Sequence, residues 1–297
     1  MKIGIALGAG AARGWAHMGV IQALEKLGLQ IDIVAGCSIG AYVGAAYSSG
    51  RLQELKQWAC SLTEWQVLSL MGVGLRRGGI ASGEKVYQKL QQEFCAPTFE
   101  EMQKTFAVVA TDLNSGREVT FSSGEIGNSI QASCAIPGLF SPVRYDDRWL
   151  VDGAVVNPVP VNLCRQMGAD FVIAVNLIAD FRPQRSEKQT EEHEQMQIQT
   201  DDFFTKSQNV VRQWFADSKP SKVNPPSILS VMSNSLEILQ ARVTRSRLGG
   251  DPPDILIEPH LNDVGPMEFH RATELVERGE ATIERLAQQI RYQLQLN

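Results

Sequence analysis

Long hydrophobic runs are missing from this chain: no stretch approaches the 18 uninterrupted apolar residues of a membrane-spanning helix, which excludes such a helix as its basis. An excess of basic residues is missing too. With 28 Lys and Arg against 33 Asp and Glu the formal net charge is −5, so the field of the whole chain does not favour nucleic acid or anionic lipid, and any membrane contact must be local. The five cysteines (Cys37, Cys60, Cys95, Cys134 and Cys164) are odd in number and scattered, without CxxC or Cys/His spacing. They make neither a disulfide framework nor a zinc site, and free thiols in a reducing compartment are expected. The first residues hold one lysine and an apolar run interrupted by Gly8, Gly10 and Arg13, which is poor signal-peptide chemistry. A cytoplasmic location is expected, with peripheral contact to the inner face of the membrane left open. Hydrophobic residues at 43% and charged residues at 21% place the chain among folded globular proteins.

What is present is an alternation of short apolar runs and helical patterns. Residues 2–7 are an apolar run ending in glycine, and 13–27 carry apolar residues at helical spacing, closed by Gly28. Residues 30–35 form a second β-rich run broken by Gly36, and 39–47 are again helical in pattern. Two successive strand–helix units predict an α/β fold, a three-layer sandwich with a largely parallel central sheet. From 51 to 94 the pattern is helical with a glycine-rich break, MGVGLRRGG. Residues 106–111 and 117–121 read as strands joined by the turn from Asp112 to Gly116. Residues 142–145 and 149–151 predict a hairpin that delivers Asp152 at its exit, and 171–176 a further buried strand. Residues 180–226 become rich in Gln, Glu, Lys, Asp and Pro, which is expected of a polar insertion in a single domain spanning 1–297. A helix over 228–248, a strand over 254–258 and a long C-terminal helix complete the chain.

Two glycine-rich turns carry chemistry. Gly8-Ala9-Gly10-Ala11-Ala12-Arg13-Gly14 links a strand to a helix, where backbone N–H groups converge on an anion. As a dinucleotide fingerprint it is incomplete, since the third glycine of GxGxxG would fall at Arg13 and no acidic residue ends the following IDIVAG strand, which leaves dinucleotide binding as a third and weaker reading. Gly36-Cys37-Ser38-Ile39-Gly40 matches GxSxG at a second strand-to-helix turn, the context a nucleophile elbow requires. Ser38 as a simple helix cap remains the alternative at this point. Cys37 precedes the apex and should point into the sheet as a buried structural thiol.

A serine hydroxyl needs a neighbour to take its proton. The four histidines are His17, His193, His260 and His270, and a Ser-Asp-His order would point to His260. An α/β-hydrolase elbow follows several earlier strands, however, and residue 38 leaves room for only two. The other candidate is Asp152 in Leu150-Val151-Asp152-Gly153-Ala154, at the end of an apolar strand, with an ordinary Asp-Gly turn as its bland reading.

The glycine loop with Arg13, the GxSxG elbow, ASCAIPGLFSPV at 132–143 and Asp152-Gly153-Ala154 together resemble the bacterial patatin-like phospholipases, in their neuropathy-target-esterase-like branch, through about residue 176. The resemblance implies Ser38 as nucleophile and Asp152 as base. It implies an oxyanion hole at Gly10, Ala11 and Arg13, with Gly8, Gly14, Gly36, Gly40 and Gly153 supporting the motifs. Ala9 and Ala11 stand where family loops often have glycine, and an amide donor tolerates alanine unless the position demands φ > 0. The activity implied is hydrolysis of acyl esters, phospholipid or lysophospholipid, without metal or organic cofactor. A non-catalytic regulatory or membrane-associated protein that retains the fold is the competing expectation.

Two further features bear on lipid. Residues 62–75 carry a dense apolar face with Trp65 and then glycine hinges, suited to an acyl-chain groove or, more simply, to packing on the sheet. Arg242, Arg245 and Arg247 form a local basic cluster on a predicted helix, read as a phosphate contact or as a solvated face.

Overall fold

The computed structural model describes residues 1–71, 73–76, 79–81, 83–179 and 228–295. Packing divides the chain into two units, Met1–Phe181 with Met232–Asn297, and Arg182–Val231. The stretch 180–226, expected as a polar insertion, lies outside the described residues, and the architecture that follows is that of the first unit.

Five strands run parallel in the order β11 (Ile255–Ile257), β10 (Phe171–Val175), β1 (Ile3–Leu7), β2 (Ile33–Cys37) and β5 (Thr105–Asp112). Beyond β5 the sheet turns antiparallel through β9 (Arg148–Asp152) and β8 (Val143–Tyr145), while β6 (Glu118–Phe121) also pairs with β5. The parallel strands are nearly continuous apolar runs because both faces are covered. Ile5 and Leu7, Val34, Phe106 and Val108 belong to one core. Their alternates Ala6, Ile33 and Ala35, Ala107 and Val109 belong to a second. The first core is completed by α1 (Ala16–Lys26), α2 (Ile39–Ser48) and α9 (Ala272–Leu294), the second by α7 (Val161–Gln166). Helix, sheet and helix are thus the three expected layers.

The segment between the second and third helical patterns departs from expectation. Helices α3 (Leu52–Cys60), α4 (Glu64–Met71) and α5 (Glu84–Lys89) form as read, but the glycine-rich break holds two short strands, β3 (Val73–Arg76) and β4 (Gly79–Ala81). They join β7 (Gly138–Phe140) in a separate three-stranded sheet. A three- or four-residue strand has no period of its own to read, and the partner of β4 comes from far along the chain. Two helices unassigned from sequence, α6 (Gly127–Ser133) and α7, are likewise too short to show a stripe. The long helix after the undescribed stretch, α8, covers Ile228–Gly250.

Helix α9 seats α1 by backbone-to-backbone approach. A Cβ on Gly19 would lie 1.9 Å from Val276 O, and one on Gly279 would lie 2.2 Å from Ala16 O. The two glycines therefore set how closely the helices meet, and α1 is the element into which the glycine loop runs. Replacing Gly279 by Leu should destabilise the protein by about 1–3 kcal/mol or more, the cost of forcing volume into a packed interface. Urea unfolding checks this, and an unchanged midpoint would show that the helices are free to separate.

Candidate active site

The turn between β2 and α2 is sharp, and its residues explain why. Ser38 has φ 55° and ψ −126°, a conformation that costs a non-glycine residue of order 1–3 kcal/mol and persists only where packing over-determines it. The packing is backbone on backbone. A Cβ on Gly36 would stand 2.5 Å from Ala41 Cα, and one on Gly40 would stand 2.1 Å from Leu7 O. The Ser38 amide donates to Ser133 Oγ at 2.8 Å, which ties the apex to the end of α6. Ser133 was not singled out in the sequence, although it lies within the ASCAIPG stretch; only the tertiary contact reveals its role.

Asp152 ends β9, and β5 aligns it with the elbow. Cys37 pairs with Val109 of β5, and Asp152 pairs with the next residue, Ala110. Ser38 Oγ then donates to Asp152 Oδ2 at 2.6 Å, while Asp152 Oδ1 accepts the Ala154 amide at 2.8 Å. The backbone is held as firmly: Asp152 N–H donates to Ala135 O at 2.9 Å and Asp152 O accepts from Thr111 Oγ1 at 2.9 Å. Gly153 is more than a turn residue, since a Cβ there would lie 2.4 Å from Val109 O. The carboxylate is only 1% exposed, and burial pushes its pKa up to about 7 against the opposing hydrogen bonds from Ser38 and Ala154.

The glycine loop runs beside the elbow. Gly8 N–H donates to Val175 O, Ala9 N–H to Pro158 O, Ala12 N–H to Pro266 O and Arg13 N–H to Gly10 O, at 2.9–3.1 Å. The amides of Gly10 and Ala11 have no such partner among the described residues. Ala11 shares the wall of one cavity with Ser38. Its φ is 50°, the conformation glycine adopts without strain, so the substitution noted in the sequence carries a conformational cost. The Arg13 side chain is committed elsewhere: Nε donates to Val264 O at 2.9 Å, and the guanidinium pairs with Glu237 at 3.2 Å. Loop and elbow touch directly, because a Cβ on Gly14 would fall 2.1 Å from Ile39 Cγ1.

From Ser38 a cavity of about 80 Å³ extends between α2, α3, α4 and α5. Trp15, Tyr42, Trp58, Tyr87 and Phe269 line it, and Leu62, Val67 and Leu70 form one wall. Both tyrosine hydroxyls are turned to backbone carbonyls, Tyr42 to Val86 O at 3.1 Å and Tyr87 to Cys134 O at 3.4 Å, so the rings present an apolar surface. The segment 62–75 thus divides its roles: Val67 and Leu70 face the cavity, while Trp65 is 79% and Leu68 46% exposed.

The remaining candidates take no part in the bond between Ser38 and Asp152. Cys37 is fully buried, with its thiol pushed up by desolvation, and all five cysteines are free. His17 is buried against Gly8 O, and both Asp152 oxygens are taken by Ser38 and Ala154 rather than by an imidazole. His193 lies outside the described residues. In the basic cluster of α8, Arg247 binds Glu118 at 2.9 Å and Val156 O at 3.0 Å, while Arg242 and Arg245 are exposed.

Comparison with known proteins accords with this geometry. The family described as patatin-like phospholipase matches residues 5–165. An uncharacterized NTE family protein of Mycobacterium tuberculosis is 32% identical, over 94% of this chain and 89% of that protein. Lysophospholipase NTE1 of Pyricularia oryzae is 26% identical over 94% of this chain, which spans 18% of that much longer protein. VipD from Legionella pneumophila, a solved structure, aligns with a TM-score of 0.46 at 13% identity, covering 96% of this chain and 66% of that one, too remote to bear on the site. The matched residues take in the glycine loop, the elbow and Asp152: the chain belongs to the patatin-like phospholipase family.

Proposed function

We propose that the protein is a lipid acyl hydrolase in which Ser38 is the nucleophile, Asp152 the general base, and the Gly10 and Ala11 amides the oxyanion donors. The observation that carries the reading is the 2.6 Å bond from Ser38 Oγ to a buried Asp152 carboxylate at the inner end of an apolar cavity. Asp152 takes the hydroxyl proton as Oγ attacks the ester carbonyl, and the free loop amides meet the oxyanion. The leaving alcohol departs with that proton. Water then attacks the acyl-serine, gives its proton to Asp152, and releases the fatty acid, after which the proton returns to Ser38 when the acyl–oxygen bond breaks. Aspartate would serve where histidine usually does because burial has raised its basicity into the imidazole range.

The apolar cavity suits an acyl chain, and the fungal relatives bear the name lysophospholipase, so lysophospholipid or phospholipid is the proposed substrate class. Residues 1–297 would act as one hydrolase domain, and the free cysteines fit a cytoplasmic setting. Contact with lipid would run through α4, whose inner face lines the cavity while Trp65 and Leu68 face outward. No helix among the described residues is long and apolar enough to cross a membrane.

Ser38→Ala and Asp152→Asn should each lower kcat/KM for a soluble short-chain ester by at least about 10³ while remaining folded by circular dichroism. The alanine variants of His193, His260 and His270 should keep most of their activity. A folded alanine variant of His193, His260 or His270 as slow as Asp152→Asn would sink the dyad. Labelling of Ser38 by a fluorophosphonate, mapped by peptide mass, tests the nucleophile independently.

The raised Asp152 pKa has two consequences of opposite sign. The base must be ionised, so kcat/KM should fall about tenfold per pH unit below roughly pH 7 and level off above it. For stability, the folded state holds this proton more tightly than the unfolded chain, so stability is full below the unfolded pKa near 3.8 and is lost as pH rises toward about 7. Asp152→Asn escapes that loss and should melt above the wild type at pH 8, with the gap closing toward pH 4. A variant that melts lower at pH 8 would contradict burial of the charge.

Trp65→Ala should slow hydrolysis of lysophospholipid presented on zwitterionic vesicles several-fold and leave the soluble ester unaffected. Equal rates on vesicles would remove α4 from the lipid contact.

A further inference from the structure

We infer that His17 is a positioning residue: its imidazole fixes the Gly8–Ala9 peptide and so holds the free amides of the oxyanion loop in register with the nucleophile elbow. The inference rests on the reaction proposed above and adds a residue to it. His17 is the second residue of α1, and its ring is completely buried. Nε2 lies 2.8 Å from Gly8 O. A carbonyl only accepts, so Nε2 carries the hydrogen and Nδ1 is left as an acceptor, and Nδ1 is buried with no partner among the described residues. Leaving a buried acceptor unsatisfied costs free energy that an apolar side chain in the same space would avoid. What the imidazole supplies in return is the donor at Nε2. Burial lowers its pKa to about 4, so the ring stays neutral, and the donor stays singular, through the range in which Asp152 titrates.

The position of Gly8 O gives that donor its consequence. The same peptide unit is held at its other end by the bond from Ala9 N–H to Pro158 O at 2.9 Å. With both ends fixed, the peptide plane is fixed, and the next two amides along the chain are the unpartnered ones of Gly10 and Ala11. Gly8 O also lies 2.8 Å from where a Cβ on Gly40 would stand, so the carbonyl that His17 holds forms the loop's wall against the last residue of the GxSxG elbow. One hydrogen bond therefore orients the peptide from which the donors follow and sets its contact with the turn that presents Ser38. No histidine is needed for proton transfer in this arrangement; the ring acts through the backbone.

The test compares His17→Phe, which fills the space without a donor, with His17→Gln, whose Nε2 is the same number of bonds from the backbone as imidazole Nε2. Steady-state kinetics on a soluble short-chain ester are read beside thermal unfolding, with Ser38→Ala as the control. The expected result is a folded His17→Phe with kcat lowered about 10²–10³-fold and KM within about twofold, since an oxyanion donor out of place is missed mainly in the transition state. His17→Gln should recover most of kcat. The proposal is overturned by a folded His17→Phe with wild-type kcat, by a rise in KM that accounts for the loss, or by a His17→Gln variant as slow as His17→Phe. If His17→Phe does not fold, His17→Leu takes its place with the same criteria. If neither folds, the imidazole is a folding residue and the positioning role is overturned. An active Ser38→Ala would instead overturn the underlying mechanism and leave the geometry of His17 to another reaction.

Discussion

The site depends on one register. Strand β5 meets the end of β2 and the end of β9 at consecutive residues, Val109 and Ala110, so two segments that approach from opposite directions stop side by side. A slip of one residue on either pairing would turn the side chain at the strand end to the other face of the sheet. The neighbours leave little room for a slip. Gly153 closes on Val109 O, Gly36 on Ala41 and Gly40 on Leu7 O, all at distances no Cβ tolerates. The motif glycines are, in this sense, part of the site's geometry: they let three backbones converge so that one hydroxyl can touch one carboxylate.

Convergence also accounts for how a carboxylate would serve as the proposed base. An aspartate in water is too weak, and the packing that brings Asp152 to Ser38 is the packing that excludes solvent from it. The two hydrogen bonds it accepts pull the pKa back down, and desolvation outweighs them. Under the proposed mechanism, function and stability are set against each other at this residue, since ionising a buried carboxylate is what that mechanism requires and what folding resists. A neighbouring cation would relieve the conflict and destroy the basicity. The nearest motif arginine, Arg13, instead spends its guanidinium on Val264 O and Glu237.

Much of this was legible in the sequence, for physical reasons that can be named. The alternation of apolar runs and helical stripes gave the three layers, and the hairpin before Asp152 formed as its pattern required. Ser38 could be read because an elbow needs glycines at fixed offsets. The second strand begins three residues later than its β-rich run, at Ile33, because the Asp32 carboxylate leaves the run to accept the Ile3 amide at 2.8 Å. The helix expected from Arg13 is preceded by a 3₁₀ turn over Ala11–Trp15, which lets the loop amides point away from a helical ladder. Ser133 and His17 could not be read, because each acts through a contact with backbone that only the fold brings near.

Strain follows the same logic. Four non-glycine residues among those described have positive φ. Asp146 sits in the exposed hairpin turn before β9 and Gln295 at the end of α9, where such conformations are common. The other two, Ala11, which is half-buried, and Ser38, which is buried, share the wall of the cavity. Their conformations are unfavourable alone and held by neighbours: the Ala12 amide is bound by Pro266 O, Gly14 is pressed on Ile39, and the Ser38 amide is bound by Ser133. A relaxed Ser38 would withdraw its oxygen from Asp152, and a relaxed Ala11 would rotate the peptides on either side of it. The large core on the α1, α2 and α9 face supplies the stability that offsets both, which is why a C-terminal helix far from the chemistry in sequence belongs to the active site in its energetics.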